Sequence, residues 1–284
     1  MRGLYEAVRE ALLADEPVAL ATVIEVAPPE ERADPDVTPP ELGAKLAVRP
    51  EGPPLGSLGD PVIDAIVARD ALAALESGLS ATRHYGVRGE ARRRDISVFI
   101  ESFAPPPRMI IFGAVDFTAA LARVAKVLGY RVTVCDARAV FATRARFPMA
   151  DEVVVDWPDR HLAAVGSELG PRDVVCVLTH DPKFDVPAIV AALKTRVGYL
   201  GAMGSRRTHD ERVKRLLEAG VDQSDLDRLM APIGVDIGAR SPEETAVSIC
   251  AEIIATRAGA TGVPSLRDRE GPIHRDGASP GEPD

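Results

Sequence analysis

Along the chain, apolar residues recur two apart in some stretches and three to four apart in others, and the change of spacing marks out the elements. Residues 1–14 put Leu4, Val8 and Leu12 on one face with charges between them, the pattern of an amphipathic helix. Residues 18–27 and 44–49 are rich in β-formers and read as strands. Residues 28–41, between them, are crowded with prolines and acids, which excludes a regular element and predicts a mobile surface loop. A helix is expected over about 62–77 and a strand over 96–101. Pro105, Pro106 and Pro107 then make a stiff spacer with no amide donors. The domain boundary is placed there, with an N-terminal domain over 1–104 and a second over 105–258.

After the prolines the pattern alternates: strand 109–112, helix 116–128, strands 131–135 and 152–155, helix 159–169, strand 173–179, helix 184–195, strand 197–201, helix 206–219. Such alternation predicts a parallel sheet covered on both faces. Ser241-Pro242-Glu243-Glu244 is a capping box with proline at the first helical position, and it opens a helix to about Arg257. The fold class is therefore α/β, a Rossmann-like parallel-sheet domain preceded by a smaller α+β domain. The stretch 259–284 is rich in Gly, Pro, Asp and Arg and is expected to be a disordered tail.

Composition narrows the functional classes. With 284 residues, 46% of them hydrophobic, the chain can bury a sizeable core. A formal charge of −9 gives nucleic acid or an anionic membrane no long-range attraction. No apolar run reaches the roughly 18 residues of a membrane span, and the N-terminus lacks a signal peptide. A soluble, cytoplasmic protein is expected. Cys135, Cys176 and Cys250 each lie in an apolar stretch without metal-ligand spacing, so they read as buried structural thiols and no metal site is expected.

In an open parallel sheet, ligands sit beyond the carboxyl ends of the strands. The first such loop is Gly113-Ala114-Val115-Asp116, a Rossmann opening without its later glycines: Val115 and Thr118 stand in their places, and Asp116 brings a carboxylate to a helix N-terminus. NAD or FAD in the usual pose is thereby disfavoured, and a plain strand-to-helix turn explains the loop equally well. The second holds Asp136 and Arg138, where an acid commonly takes a ribose hydroxyl but an Asp–Arg pair is an equal reading. The third gathers Thr179, His180, Asp181, Lys183 and Asp185 at one strand end. His180 is a candidate acid–base group, while the plainer reading has Asp181 capping a helix and His180 bonded to backbone. In the fourth, Gly204, Ser205, Arg206 and Arg207 open a helix with amides and guanidinium groups suited to a phosphate, although Arg207 could instead pair with Glu211. A rigid loop over 232–238 follows, with Asp236 as its charge.

The runs Thr179-His-Asp-Pro-Lys183, Gly201-Ala-Met-Gly-Ser-Arg-Arg-Thr208 and Pro232 to Ser248 closely resemble the XdhC/CoxI family of accessory factors for molybdenum hydroxylases. The resemblance covers an N-terminal family domain to about Ser102 and a Rossmann-like domain to about Ala258. It implies a non-catalytic factor that binds molybdenum cofactor, protects it during sulfuration, and passes it to a xanthine or carbon monoxide dehydrogenase-type apoenzyme. Gly113, Asp136, His180, Asp181, Gly204, Ser205, Arg206, Arg207 and Asp236 are the candidate cofactor-binding residues, with the pterin phosphate suited to the Gly204 turn. The resemblance also allows a homodimer. Leu42 to Leu46 follows the family, but Gly56-Ser57-Leu58-Gly59-Asp60-Pro61 lacks the cysteine and glutamate of the family motif there, and a later Cys-Gly-Gly motif is absent. Two alternatives stand beside the leading one: a Rossmann-type NAD(P)-dependent oxidoreductase, and a binding-only member that has lost its ligand.

Overall fold

The computed structural model describes residues 2–32, 37–90 and 93–268, in two compact units, Met1–Pro105 and Pro106–Asp284. The first unit holds α1 (Arg2–Leu13), β1 (Val18–Val26), β2 (Lys45–Val48), β3 (Leu55–Ser57), α2 (Pro61–Ser77), β4 (Ala81–Tyr85) and β5 (Ile96–Phe103). Its strands form an antiparallel sheet in the order β3-β2-β1-β5-β4. Alternation along β1 serves both faces: Ala19, Ala21 and Val23 pack with Ile63, Val67, Ala71 and Leu75 of α2, whereas Val18 and Leu20 pack with Val8 and Ala11 of α1. Within the proline- and acid-rich loop, Pro29–Glu31 make a single 3-10 turn, and residues 33–36 lie outside the described residues.

The second unit runs β6 (Arg108–Phe112), α3 (Asp116–Val127), β7 (Arg131–Cys135), β8 (Glu152–Val154), α4 (Pro158–Val165), β9 (Val174–Val177), α5 (Pro182–Leu193), β10 (Tyr199–Ala202), α6 (Arg206–Glu218), α7 (Gln223–Leu226), β11 (Leu229–Met230) and α8 (Pro242–Ala258). Its six strands pair in parallel in the order β11-β10-β9-β6-β7-β8. Met109, Ile111, Val132, Val134 and Cys176 face one core with α3 and α8; Ile110, Phe112, Val175, Val177 and Leu200 face the other with α5 and α6. Strand order reverses between β6 and β9, the switch point of an open α/β sheet. No helix of the described residues is long and apolar enough to cross a membrane.

Three strands were not expected, the three-residue β3 among them. β4 is exposed at four of its five positions, so it carries no apolar alternation to betray it, and β11 is only two residues long. The tail also departs from expectation: up to Asp268 it has placed backbone, because Ser265 pairs with Val235 in an isolated bridge and the Leu266 amide donates to the Gly234 carbonyl at 2.9 Å. Residues 269–284 lie outside the described residues.

Candidate functional site

At the switch point the backbone is closed on itself. Gly113 leaves β6 with φ at +110°, and a Cβ there would stand 2.7 Å from the Thr179 methyl carbon and 3.0 Å from the Thr179 amide nitrogen. Only glycine lets the ends of β6 and β9 approach so closely. Asp136, 3% exposed, turns inward. Its Oδ2 accepts from the Ala114 amide and from Arg138 Nη2, at 2.8 and 2.7 Å, and its Oδ1 accepts from the Arg138 amide and Nε, both at 2.9 Å. Burial alone would raise this carboxyl, but the Arg138 and amide donors outweigh it and hold the group below its ordinary value. The lone pairs a ribose hydroxyl would need are thus engaged within the chain, and Asp116 at the start of α3 is exposed beside Arg146, at 3.6 Å.

A pocket of about 560 Å³ opens instead beyond β9 and β10. It brings together His180, Gly204, Ser205, Arg206, Arg207 and Asp236, so three of the sequence-predicted loops converge there. Gly113, Asp136 and Asp181 do not line it. Asp181 caps α5, accepting from the Lys183 amide at 3.1 Å and pairing with Lys183 Nζ at 3.2 Å. His180 is exposed and makes no hydrogen bond among the described residues.

The polar end of the pocket is built by the turn into α6. Gly204 has φ at +150°, and Ser205 at the N-cap accepts from the Thr208 amide at 3.2 Å. Arg206 and Arg207 occupy the first helical turn, where free amides and the helix dipole already favour an anion. Arg206 Nη2 donates to the Leu266 carbonyl at 2.9 Å. Arg207 is exposed and forms no ion pair with Glu211 among the described residues. Beneath the turn, Arg212 Nη2 donates to the Met203 carbonyl at 2.8 Å and to Asp185 Oδ2 at 2.9 Å. Asp185 also accepts from the Thr179 hydroxyl, and burial pushes its carboxyl up to about 6 against the pull of Arg212.

Residues that sequence reasoning passed over complete the walls: Phe117, Ile233, Val235 and Leu266 are apolar, and Arg240 adds a third guanidinium. Arg240 lies within the Pro232 to Ser248 run and could have been read there. Leu266 sits in a Gly- and Pro-rich stretch without periodicity and gave no signal. A largely apolar cleft of this size lined by several guanidinium groups suits a small molecule bearing an anionic group. It offers no thiolate: burial drives Cys135 and Cys250 up to about 12 and Cys176 well above its ordinary value. The segment that departs from the family motif is engaged too. Asp60 caps α2 by accepting from the Val62 and Ile63 amides, and Asp64 takes the Ser57 hydroxyl and the Leu58 amide, both at 2.7 Å.

A doubly covered parallel sheet whose strand order reverses at β6 and β9 defines a Rossmann-like domain. The family model described as the XdhC Rossmann domain matches residues 109–253, and that of the XdhC and CoxI family matches residues 11–86. The chain belongs to the XdhC/CoxI family. It is 36% identical to a probable xanthine dehydrogenase subunit of Bacillus subtilis over 161 residues, 57% of this chain and 46% of that protein. It is 28% identical to YqeB of Escherichia coli over 231 residues, 78% of this chain and 42% of the relative. It is also 28% identical to the molybdenum cofactor insertion chaperone PaoD of Escherichia coli over 163 residues, 57% of this chain and 44% of the relative. The chain therefore spans less than half the length of each of these relatives.

Proposed function

We propose that this chain is an accessory factor that binds molybdenum cofactor in the pocket beyond β9 and β10 and delivers it to a molybdenum hydroxylase apoenzyme. The observation that carries the reading is the convergence of Arg206, Arg207, Arg240 and the Ser205 N-cap in one cleft of about 560 Å³ whose walls also hold Phe117, Ile233 and Leu266. The donors fit the cofactor's organic part: a terminal phosphate would lie on the α6 amides and guanidinium groups, and the flat pterin would lie against Phe117, Ile233 and Leu266. They do not fit ligation of the metal by sulfur, since the chain's cysteines are buried. Bound cofactor would supply the redox-active molybdenum of the client enzyme. The chain's own residues hold and orient it and cover its ring from water. Family membership and the name borne by PaoD support the same role.

The test is binding of molybdopterin to the purified full chain, followed by ligand fluorescence. Saturable binding is expected, and Arg206→Ala and Arg207→Ala should each weaken it roughly tenfold, the scale of one lost hydrogen bond to a charged group. Absence of saturable binding, or full affinity in both variants, would remove the reading.

A further inference from the structure

One acid stands among the buried positions of α8. Glu252 is 2% exposed, on a helix whose other buried residues include Ala246, Ile249, Cys250 and Ile253. Its Oε2 accepts from the Tyr199 hydroxyl of β10 at 2.5 Å and from the Gly234 amide at 2.8 Å, and its Oε1 accepts from the Ser265 hydroxyl. Tyr199 is held protonated, and so a donor, because burial raises its phenol well above the ordinary value. Further bonds join the same parts. The Leu266 amide donates to the Gly234 carbonyl at 2.9 Å, the Asp236 amide to the Pro264 carbonyl at 2.8 Å, and the Ser248 hydroxyl to the Val235 carbonyl at 2.7 Å. The Leu266 carbonyl receives Arg206 across the pocket's rim, and Leu266 itself lines the cavity.

From this wiring we infer that the 264–266 segment is a wall of the ligand pocket, and that Glu252 is the positioning residue that holds this wall and the Gly234 loop in place around Arg206. The inference rests on reading the cavity as the cofactor site. The segment lies beyond residue 253, where the match to the Rossmann-domain family model ends. A buried carboxylate with three donors is a high-stakes anchor, since removing the acceptor leaves each donor without a partner. Through it, the Leu266 carbonyl fixes one N–H of the Arg206 fork and so the orientation of that guanidinium at the pocket. A guanidinium placed in advance spares the ligand the cost of ordering it.

The experiment compares the full chain with chains ended after Asp268 and after Gly262, and with Glu252→Gln and Ser265→Ala. The ligands are molybdopterin and its dephosphorylated form. Ending the chain after Gly262 should weaken molybdopterin affinity about tenfold or more relative to ending it after Asp268. Both point variants should lower the ratio of affinities for the phosphorylated over the dephosphorylated ligand, which a merely structural loss would leave unchanged. In hydrogen exchange without ligand, Glu252→Gln should strip protection from the Gly234, Asp236 and Leu266 amides together while α8 stays protected. An unchanged ratio in both point variants, or full affinity in the chain ended at Gly262, overturns the inference. If the full chain binds neither ligand, the functional reading fails instead, and exchange decides the wall: retained protection of all three amides in Glu252→Gln refutes it.

Discussion

Asp185 is 2% exposed, and its partner Arg212, similarly deep, leaves its own Nη1 buried without a hydrogen bond among the described residues. A carboxyl raised to about 6 in the fold, from an ordinary 3.8, takes up a proton on folding between those values. Its contribution to stability is therefore full below the lower value and lost as pH rises through about 6. Between pH of about 7.5 and about 5, the chemical denaturation midpoint of the native protein should gain on that of Asp185→Asn, which lacks the titrating group. Equal pH dependence of the two proteins would contradict it. At this scale the sequence marked which residues are chemically capable but not how they are used. Asp136 and Asp181 are acids at strand ends, as expected; Asp181 spends its lone pairs on Lys183, and Asp136 spends its own on Arg138 and the Ala114 amide. Such satisfaction depends on backbone geometry, which residue type alone does not specify.

Elements were legible where a local signal existed. The capping box is present in full: the Ser241 hydroxyl accepts from the Glu244 amide at 3.2 Å, and Glu244 Oε2 accepts from the Ser241 amide at 3.1 Å and the Arg240 amide at 2.8 Å. Ser241→Ala should cost about 1 kcal/mol, the usual worth of an N-cap, read as a lower denaturation midpoint with unchanged slope. No loss would mean that tertiary packing of α8 alone holds its first turn. β4 left no such trace, because its exposed Ala81-Thr82-Arg83-His84 run owes its extended form to pairing with β5. The pocket's polar end is likewise a property of an element, the start of α6, and glycine followed by serine and two arginines made that end readable.

For the whole molecule, each unit carries its own core, and the second covers both faces of its sheet from within residues 109–253. A chain of residues 106–284 is therefore expected to unfold cooperatively by itself and, on the proposed function, to keep the molybdopterin affinity of the full chain. Calorimetry and ligand fluorescence would check this, and a non-cooperative transition would show that its stability depends on the first unit. Gly113 approaches Thr179 closely and Asp136 is engaged by its own donors, while the pocket is lined from the ends of β9 and β10 and from the 232–240 loop.

By itself the sequence determined the α/β class, the order and type of the long elements, the caps, the burial of the cysteines and which strand-end loops carry titratable side chains. Each of these follows from periodicity or from spacings of a few residues, where a side chain and its backbone partner are neighbours in the chain. Only the tertiary structure decided which loops share a pocket, that Arg240 joins them, and that the presumed tail supplies Ser265 and Leu266. Those depend on pairings such as Tyr199 with Glu252 and Arg206 with Leu266, 53 and 60 residues apart. Only closure of the sheet and packing of α8 bring such partners within hydrogen-bond reach, and no local pattern encodes that distance.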